Sequence, residues 1–282
     1  MAWYRLLTHE TNVAPFLPLC GSPKTPHQGS PFALFEWEAA AISPDILNEI
    51  QELNYKRQTC IYWEVRPYQA IFFDMDSTVI GQESIVELAR HAGKSDEVHA
   101  ITEQAMAGQL DFNDALRQRV ATLKGQPVSI YDDVKEVLTI NPGMVNFAEQ
   151  AKEHHCELYL ISGGFHELAE SIANRLAFDG FKANILDRDG DQLTGRVDGD
   201  IVNGETKYEF VQKVCQEKGF QARDIVAIGD GANDLKMLSY AGLAIGYHPK
   251  DVLIPHINGA IYDSFAILDV LFMGANTDVN HT

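Results

Sequence analysis

Hydrophobic positions at the start of the chain gather in short runs separated by polar and proline-containing breaks. Trp3 to Thr8, Phe32 to Ala39 and Cys60 to Arg66 are apolar or aromatic-rich and bounded by polar or proline residues, the pattern of strands. Between the last two, Ile46, Leu47, Ile50 and Leu53 recur at helical spacing behind Ser43 and Pro44. That spacing predicts a helix over 43–56, with Ser43 as N-cap and Pro44 at the first helical position. The stretch from Cys20 to Pro31, rich in Gly, Ser, Pro and Lys, reads as a loop or hinge. Residues 1–68 are therefore expected to form a small α+β module, and they hold no convincing catalytic set.

After Arg66-Pro67-Tyr68 the pattern changes to strand alternating with helix, the sign of a parallel sheet covered on both faces. Ala70 to Asp74, Glu157 to Ser162 and Asp224 to Asp230 read as its central strands, each an apolar run that stops at a polar residue. Ligands of open α/β sheets gather at strand carboxyl ends, so Asp74, Ser162 and Asp230 are expected to converge. From about Gly81 to Ile140 the period is helical, with patterns over Glu83 to Ala92, Asp96 to Ala107 and Asp111 to Leu123 separated by Gly93 and Gly108. The domain reading is a core over 69–80 and 140–282 with a helical insertion, 81–139, that can act as a lid. Phe181 to Val202, with Asp189-Gly190-Asp191 and Gly195, reads as strands joined by tight turns. Gly274 to Thr282 is polar and expected to fray.

Composition narrows the class. The 282 residues are 45% hydrophobic and 22% charged, enough for a sizeable core and two domains. A net charge of -18, from 22 basic and 40 acidic residues, argues against a nucleic-acid partner. An anionic substrate would then need a bound metal and a few placed cations. Cys20, Cys60, Cys156 and Cys215 lie far apart with no CxxC, so they read as reduced, with neither a cysteine zinc site nor a disulfide framework. No run approaches the roughly 20 apolar residues of a membrane span, and Met1-Ala2-Trp3-Tyr4-Arg5 lacks the apolar stretch of a secretory signal. The expected compartment is the cytoplasm, with no membrane partner.

The sharpest chemical feature is an apolar run driven into two carboxylates one residue apart, Ala70-Ile71-Phe72-Phe73-Asp74-Met75-Asp76. A carboxylate at the end of a buried strand stays ionised only if a metal, a donor cluster or open water compensates it. The i, i+2 spacing lets the Asp74 side chain and either the carbonyl or the side chain of Asp76 face one point. Such hard oxygen ligands suit magnesium. Other candidates have bland readings when taken singly. Gly229-Asp230-Gly231-Ala232-Asn233-Asp234 fits an Asp-Gly turn with a helix-capping Asp, and Ser162-Gly163-Gly164 either a plain strand-to-helix turn or one whose hydroxyl and free N–H groups point at a phosphate near a helix N-terminus. Lys207 fits a solvated helix face, Glu83 a first-turn acid, Arg119 a surface cation, and Met106 with Phe112 helical core.

Together and in order, Asp74-Met75-Asp76-Ser77-Thr78, Ser162-Gly163-Gly164, Lys207 and Gly229-Asp230-Gly231-Ala232-Asn233-Asp234 resemble the motif set of the haloacid dehalogenase superfamily. Within it the chain most resembles the phosphoserine phosphatases, because Glu83, Met106, Phe112 and Arg119 extend the match into the insertion. The resemblance covers about 69–265. It implies a Rossmann-like α/β core with a helical cap, beside the small N-terminal α+β domain. It also implies a magnesium-dependent hydrolase of O-phospho-L-serine, the last step in making serine. Asp74 is the expected nucleophile, forming an aspartyl-phosphate, and Asp76 the general acid and then base. Lys207 supplies a cation to the phosphoryl group or to Asp74. The implied metal ligands are Asp74, the Asp76 carbonyl and Asp230, with Asp234 in the outer shell.

For the substrate, Ser162, Gly163, Gly164, Lys207 and Asn233 are expected at the phosphate, Glu83 at the ammonium and Arg119 at the carboxylate. Met106 and Phe112 would form an apolar wall. Alternatives are a phosphatase or phosphotransferase for another small phosphate ester, and an amino-acid-sensing regulatory protein. For the last, the strand, strand, helix, strand order of residues 1–68 is similar to part of an ACT domain, a surface for sensing or for a homodimer. His91, His99, His154, His155, His166 and His248 show neither HxH nor HExxH spacing and are assigned no role.

Overall fold

The computed structural model describes residues 1–273, so the expected fraying of Gly274 to Thr282 lies outside the described residues. In chain order the strands are β1 (Ala2–His9), β2 (Phe32–Ala39), β3 (Cys60–Glu64), β4 (Ala70–Phe73), β5 (Glu157–Phe165), β6 (Gly180–Asp189), β7 (Gln192–Asp198), β8 (Ile225–Gly229), β9 (Leu243–Tyr247) and β10 (Gly259–Ile261). The helices are α1 (Leu17–Cys20), α2 (Pro44–Tyr55), α3 (Ser84–His91), α4 (Ser95–Met106), α5 (Phe112–Ala121), α6 (Ile130–Val137), α7 (Met144–Glu153), α8 (His166–Arg175), α9 (Gly204–Lys218) and α10 (Leu235–Tyr240). Two compact units divide the chain. One holds Met1–Ile71, Pro142–Glu157 and the described residues from Lys218 onward; the other holds Phe72–Asn141 and Leu158–Glu217.

In the first unit the strand order is β2-β1-β3-β10-β9-β8, followed by the first half of β4. β8, β9 and β10 pair in parallel, whereas β3, β1 and β2 are antiparallel. The expected α+β pieces of residues 1–68 are all present, yet they do not stand apart: Ile61 and Cys60 of β3 pair with Gly259 and Ala260 of β10. Helix α2 packs on β3 and β10. It starts as its sequence dictates, with the Ser43 hydroxyl accepting from the Ile46 N–H at 3.4 Å. Its buried Ile46, Ile50 and Leu53 close a core with Leu6, Phe16, Phe35 and Cys60. The part-buried Glu36 carboxylate receives Arg5 and Lys24. On the parallel side, Phe265 stacks on Tyr247 and Phe147 and ties α7 to the turn over 265–271.

In the second unit the strands run from the latter half of β4 through β5 and β6 to β7, with β5 and β6 parallel and β6 and β7 an antiparallel hairpin. The hairpin turns at Gly190-Asp191, where the sequence predicts a tight turn, and Gly190 takes a left-handed φ of 57°. Phe72 stacks on Tyr159 and Phe73 lies against Phe178, which fixes β4 in the core of this unit. The insertion is helical, as its period predicts. Helix α3 packs on α4 and α6, α4 on α5, α5 on β7, and α6 on α8. Among the described residues no helix is long and apolar enough to cross a membrane.

Candidate active site

The chain leaves β4 at Asp74 and enters a tight turn over Met75–Val79, in which Ser77 has a left-handed φ of 57°. A polar residue at that φ accepts modest strain and reverses the chain within a few residues. Asp74 is 3% exposed and pairs with the ammonium of Lys207, which is 0% exposed. The surface reading of this lysine is therefore excluded. Lys207 lies in the first turns of α9, whose start is fixed by Asn203: its side-chain oxygen accepts from the N–H groups of Glu205 and Thr206 at 3.0 and 3.2 Å. The two buried charges compensate each other, and either one alone would be costly.

Asp76 is half-buried and points the other way. Its Oδ1 accepts from the backbone N–H of Ser84 at 3.2 Å and its Oδ2 is 2.8 Å from the Ser84 hydroxyl. Desolvation pushes the Asp76 carboxyl up to about 7, and the neighbouring charge of Glu83 adds to the rise, while Ser84 and Lys207 act against it. Glu83 itself is exposed and accepts from the Ser77 hydroxyl at 2.8 Å. On α5, Arg119 uses Nε to reach the Ala115 carbonyl at 3.3 Å. Burial lowers its guanidinium pKa, only partly opposed by the negative charges of Glu83 and Asp76.

Around Ser162 the structure departs from the expected turn. Strand β5 continues through Gly163 and Gly164 to Phe165 and passes directly into α8. The reason is Asn184 on β6: its amide donates to the Gly163 carbonyl at 2.8 Å while its backbone is in register with Phe165. Nor is the Gly164 N–H free, because it donates to Ser162 Oγ at 2.8 Å. A Cβ at Gly164 would collide with Ser84 Oγ and lie 2.9 Å from Asp76 Oδ2, so glycine here makes room rather than turning the chain. A Cβ at Gly163 would sit 3.2 Å from the ring of Phe112, which places that ring beside Ser162-Gly163-Gly164. Met106 is not brought to any wall; at the end of α4 it is 85% exposed.

The first unit carries the other acids. After β8, Asp230 is 7% exposed and Asp234 is 0% exposed. Asp234 Oδ2 accepts from the N–H groups of Asp230 and Gly231, both at 3.1 Å, which pins the loop that presents Asp230. Lys250 reaches Asp230 at 3.1 Å from a largely exposed position. Gly229 is required there, since a Cβ would meet Asp234 Cβ at 2.7 Å. Asn233 is half-buried beside Gly231, a Cβ at which would lie 2.7 Å from its Oδ1.

Ser84, Ser77, Asn184, Asn203 and Lys250 are absent from the sequence-derived candidates. Each acts through another residue, and no spacing rule marks it. Only Asn203 carried a readable signal, as an N-cap residue ahead of α9.

The haloacid dehalogenase-like hydrolase model matches residues 71–239. The chain belongs to that family. This haloacid dehalogenase-like hydrolase is 42% identical over 189 residues to the phosphoserine phosphatase of Polaromonas sp., covering 65% of this chain and 80% of the relative. It is 40% identical over 201 residues to that of Haemophilus influenzae, covering 71% of this chain and 63% of the relative's length. The motif resemblance is thereby borne out. A solved hydrolase of the same superfamily from Salmonella enterica serovar Typhi covers 95% of the chain and is itself covered to 97%, with a TM-score of 0.84 at 26% identity. Most of residues 1–68 therefore share in that likeness. A phospho-aspartyl intermediate analogue of phosphoserine phosphatase covers 74% of the chain and is matched over 100% of its own, with a TM-score of 0.68 at 33% identity.

Proposed function

We propose that this hydrolase releases phosphate from O-phospho-L-serine through a phospho-aspartyl intermediate on Asp74, ending a synthesis of serine. The observation that carries the reading is the Lys207 ammonium buried against the Asp74 carboxylate at the end of β4. A carboxylate attacking a phosphate dianion must have charge neutralised at the point of attack, and a water-excluded cation supplies part of it. The relatives named above act on phosphoserine, and the solved intermediate analogue supports phosphorylation of an aspartate.

In the first half-reaction an Asp74 oxygen forms a bond to phosphorus while the bond from phosphorus to the serine oxygen breaks. Asp76, with its pKa raised toward neutrality, gives its proton to that leaving oxygen. In the second half Asp76 takes a proton from water, which opens the acyl phosphate. Ser162, whose oxygen already accepts from Gly164, keeps its own proton for a phosphoryl oxygen, joined by Lys207, the local backbone and Asn233. Glu83 would receive the substrate ammonium and Arg119 its carboxylate, with Phe112 bounding the pocket from the helical insertion, 81–139, and Met106 left outside it.

Asp74, Asp230 and Asp234 are buried acids of a kind able to hold a metal ion, and an all-oxygen donor set suits magnesium. Asp74, the Asp76 carbonyl and Asp230 would hold it, with Asp234 keeping the Asp230 loop in place. Bound there, magnesium would screen the phosphate charge from the attacking carboxylate. All four cysteines are free and buried, and the absence of disulfides among them supports action in the reducing cytoplasm.

The test is phosphate release from O-phospho-L-serine and a panel of small phosphate esters, with and without a chelator, for the wild type and Asp74→Asn. Activity on phosphoserine should vanish in the mutant and on chelation. Preference for another ester would overturn the substrate, and full activity in a pure mutant would overturn the nucleophile. Glu83→Gln or Arg119→Met should raise KM for phosphoserine about 10- to 100-fold, as expected for loss of one charged hydrogen-bonding partner, and leave that for an aryl phosphate nearly unchanged.

A further inference from the structure

We propose that Ser84 is a positioning residue that fixes the orientation of the Asp76 carboxyl for proton transfer to the leaving oxygen. The proposal rests on the phosphatase reading above and concerns a residue that reading does not use.

Ser84 is 0% exposed and is the first residue of α3, so its backbone N–H belongs to the donors that an α-helix leaves without intrahelical partners. The residue before it, Glu83, offers that donor no side-chain cap. The acceptor comes instead from Asp76, eight positions earlier: the N–H holds Oδ1 at 3.2 Å and the hydroxyl meets Oδ2 at 2.8 Å. Two contacts from one residue to the two oxygens of one carboxyl fix both its rotation and its plane. Gly164 keeps the space clear, since a Cβ there would intrude on Ser84 Oγ and Asp76 Oδ2 together.

The two groups of Ser84 differ in kind. The N–H can only donate, so Oδ1 serves as an acceptor and the acidic proton is carried on Oδ2. The hydroxyl both donates and accepts, so it can face Oδ2 whether that oxygen is bare or protonated. Asp76 must pass through both forms in one turnover. As the bond from Asp74 to phosphorus forms and the bond from phosphorus to the alkyl oxygen breaks, the electron pair and the Oδ2 proton both go to that oxygen. Asp76 remains as a carboxylate with Ser84 donating to it. A serine that only capped α3 would have the same contacts but no effect tied to the leaving group.

The leaving group therefore supplies the test. An alkoxide must be protonated as it departs, whereas a p-nitrophenolate departs without help. The ratio of kcat/KM for phosphoserine to that for p-nitrophenyl phosphate is measured for the wild type, Ser84→Ala and Ser84→Cys. Because kcat/KM covers steps only through phosphoryl transfer, the later hydrolysis does not enter, and the ratio is independent of the folded fraction. The ratio is expected to fall at least tenfold in both variants, with KM for phosphoserine within about threefold of wild type, a part of the 10²- to 10⁴-fold that a general acid contributes. Ser84→Cys keeps the volume and the backbone N–H and gives the same reading should the alanine variant fail to accumulate. An unchanged ratio, with both esters losing equally or neither losing, overturns the proposal. If the wild type prefers another alkyl phosphate, that ester replaces phosphoserine in the ratio. Failure of the substrate reading thus shows in the wild type, and failure of the Ser84 role shows only in the variants.

Discussion

At the scale of single residues, the site depends on three charged groups that the fold withdraws from water to different extents. Lys207 and Asp74 are buried as a pair, and each compensates the other. Asp76 has no such cation in contact and rises to about 7, through desolvation first and the Glu83 charge second. The consequence for stability has a definite sign. A carboxyl with an ordinary pKa of about 3.8 unfolded and about 7 folded binds more protons in the native state between those values. Its contribution is fully present below the lower value and is lost as pH rises through the upper one. Asp76→Asn mimics the protonated form and lacks this dependence. In chelator-treated protein, denaturant midpoints should therefore show wild type losing stability relative to Asp76→Asn as pH goes from about 4 to about 7. A gap that stays constant across that window would mean that the folded carboxyl titrates normally.

At the scale of elements, capping and packing act where the sequence is most explicit. Helix α2 begins at Pro44 with the Ser43 hydroxyl on the Ile46 N–H, and its apolar face closes the core made with β1, β2 and β3. Replacing Ser43 by alanine leaves that donor to water and should cost about 1 kcal/mol, read as a lower melting temperature with no change in phosphatase activity. A loss of several kcal/mol would indicate that Ser43 holds more than the helix start. Helix α3 has the opposite arrangement. Its period already places the start near Glu83, but the cap on its first N–H is the Asp76 carboxylate eight residues earlier, a partner legible only in three dimensions. The same holds for the passage through Ser162-Gly163-Gly164, which reads as a turn from glycine content but continues β5 across a shift of register, its Gly163 carbonyl held by Asn184, 21 residues further on.

At the scale of the whole molecule, residues 1–68 are not an independent appendage. Their strand β3 pairs with β10 near the far end of the chain, and the Arg5 guanidinium donates to the carbonyls of Val270 and Met273 at 3.3 and 2.6 Å. Removing them would leave an unpaired edge on β10 and strip α2 from the same sheet. We expect a chain beginning at Gln69 to be poorly soluble and to melt well below the full chain, whatever its effect on regulation. A truncated protein of unchanged melting temperature and activity would show that the shared sheet contributes little.

Several features could be read from the sequence because they arise from local physics. Strands over residues 3–8 and 32–39, a capped helix from Pro44, the helical insertion from residue 81 and the tight turn at Gly190-Asp191 each follow from side-chain period, capping chemistry or backbone freedom within a few residues. The candidate chemistry was legible for a related reason: Asp74 and Asp76 stand against an apolar run, where a carboxylate is costly unless it has a task. Tertiary structure decided what depends on distant partners. It buried Lys207 on an Asp 133 residues away, turned Asp76 toward Ser84, spent the Gly164 N–H on Ser162, left Met106 in solvent and joined the first strands to the last. Desolvation and hydrogen-bond partnership are properties of the environment around a group, and most of that environment is contributed by residues far away in the chain.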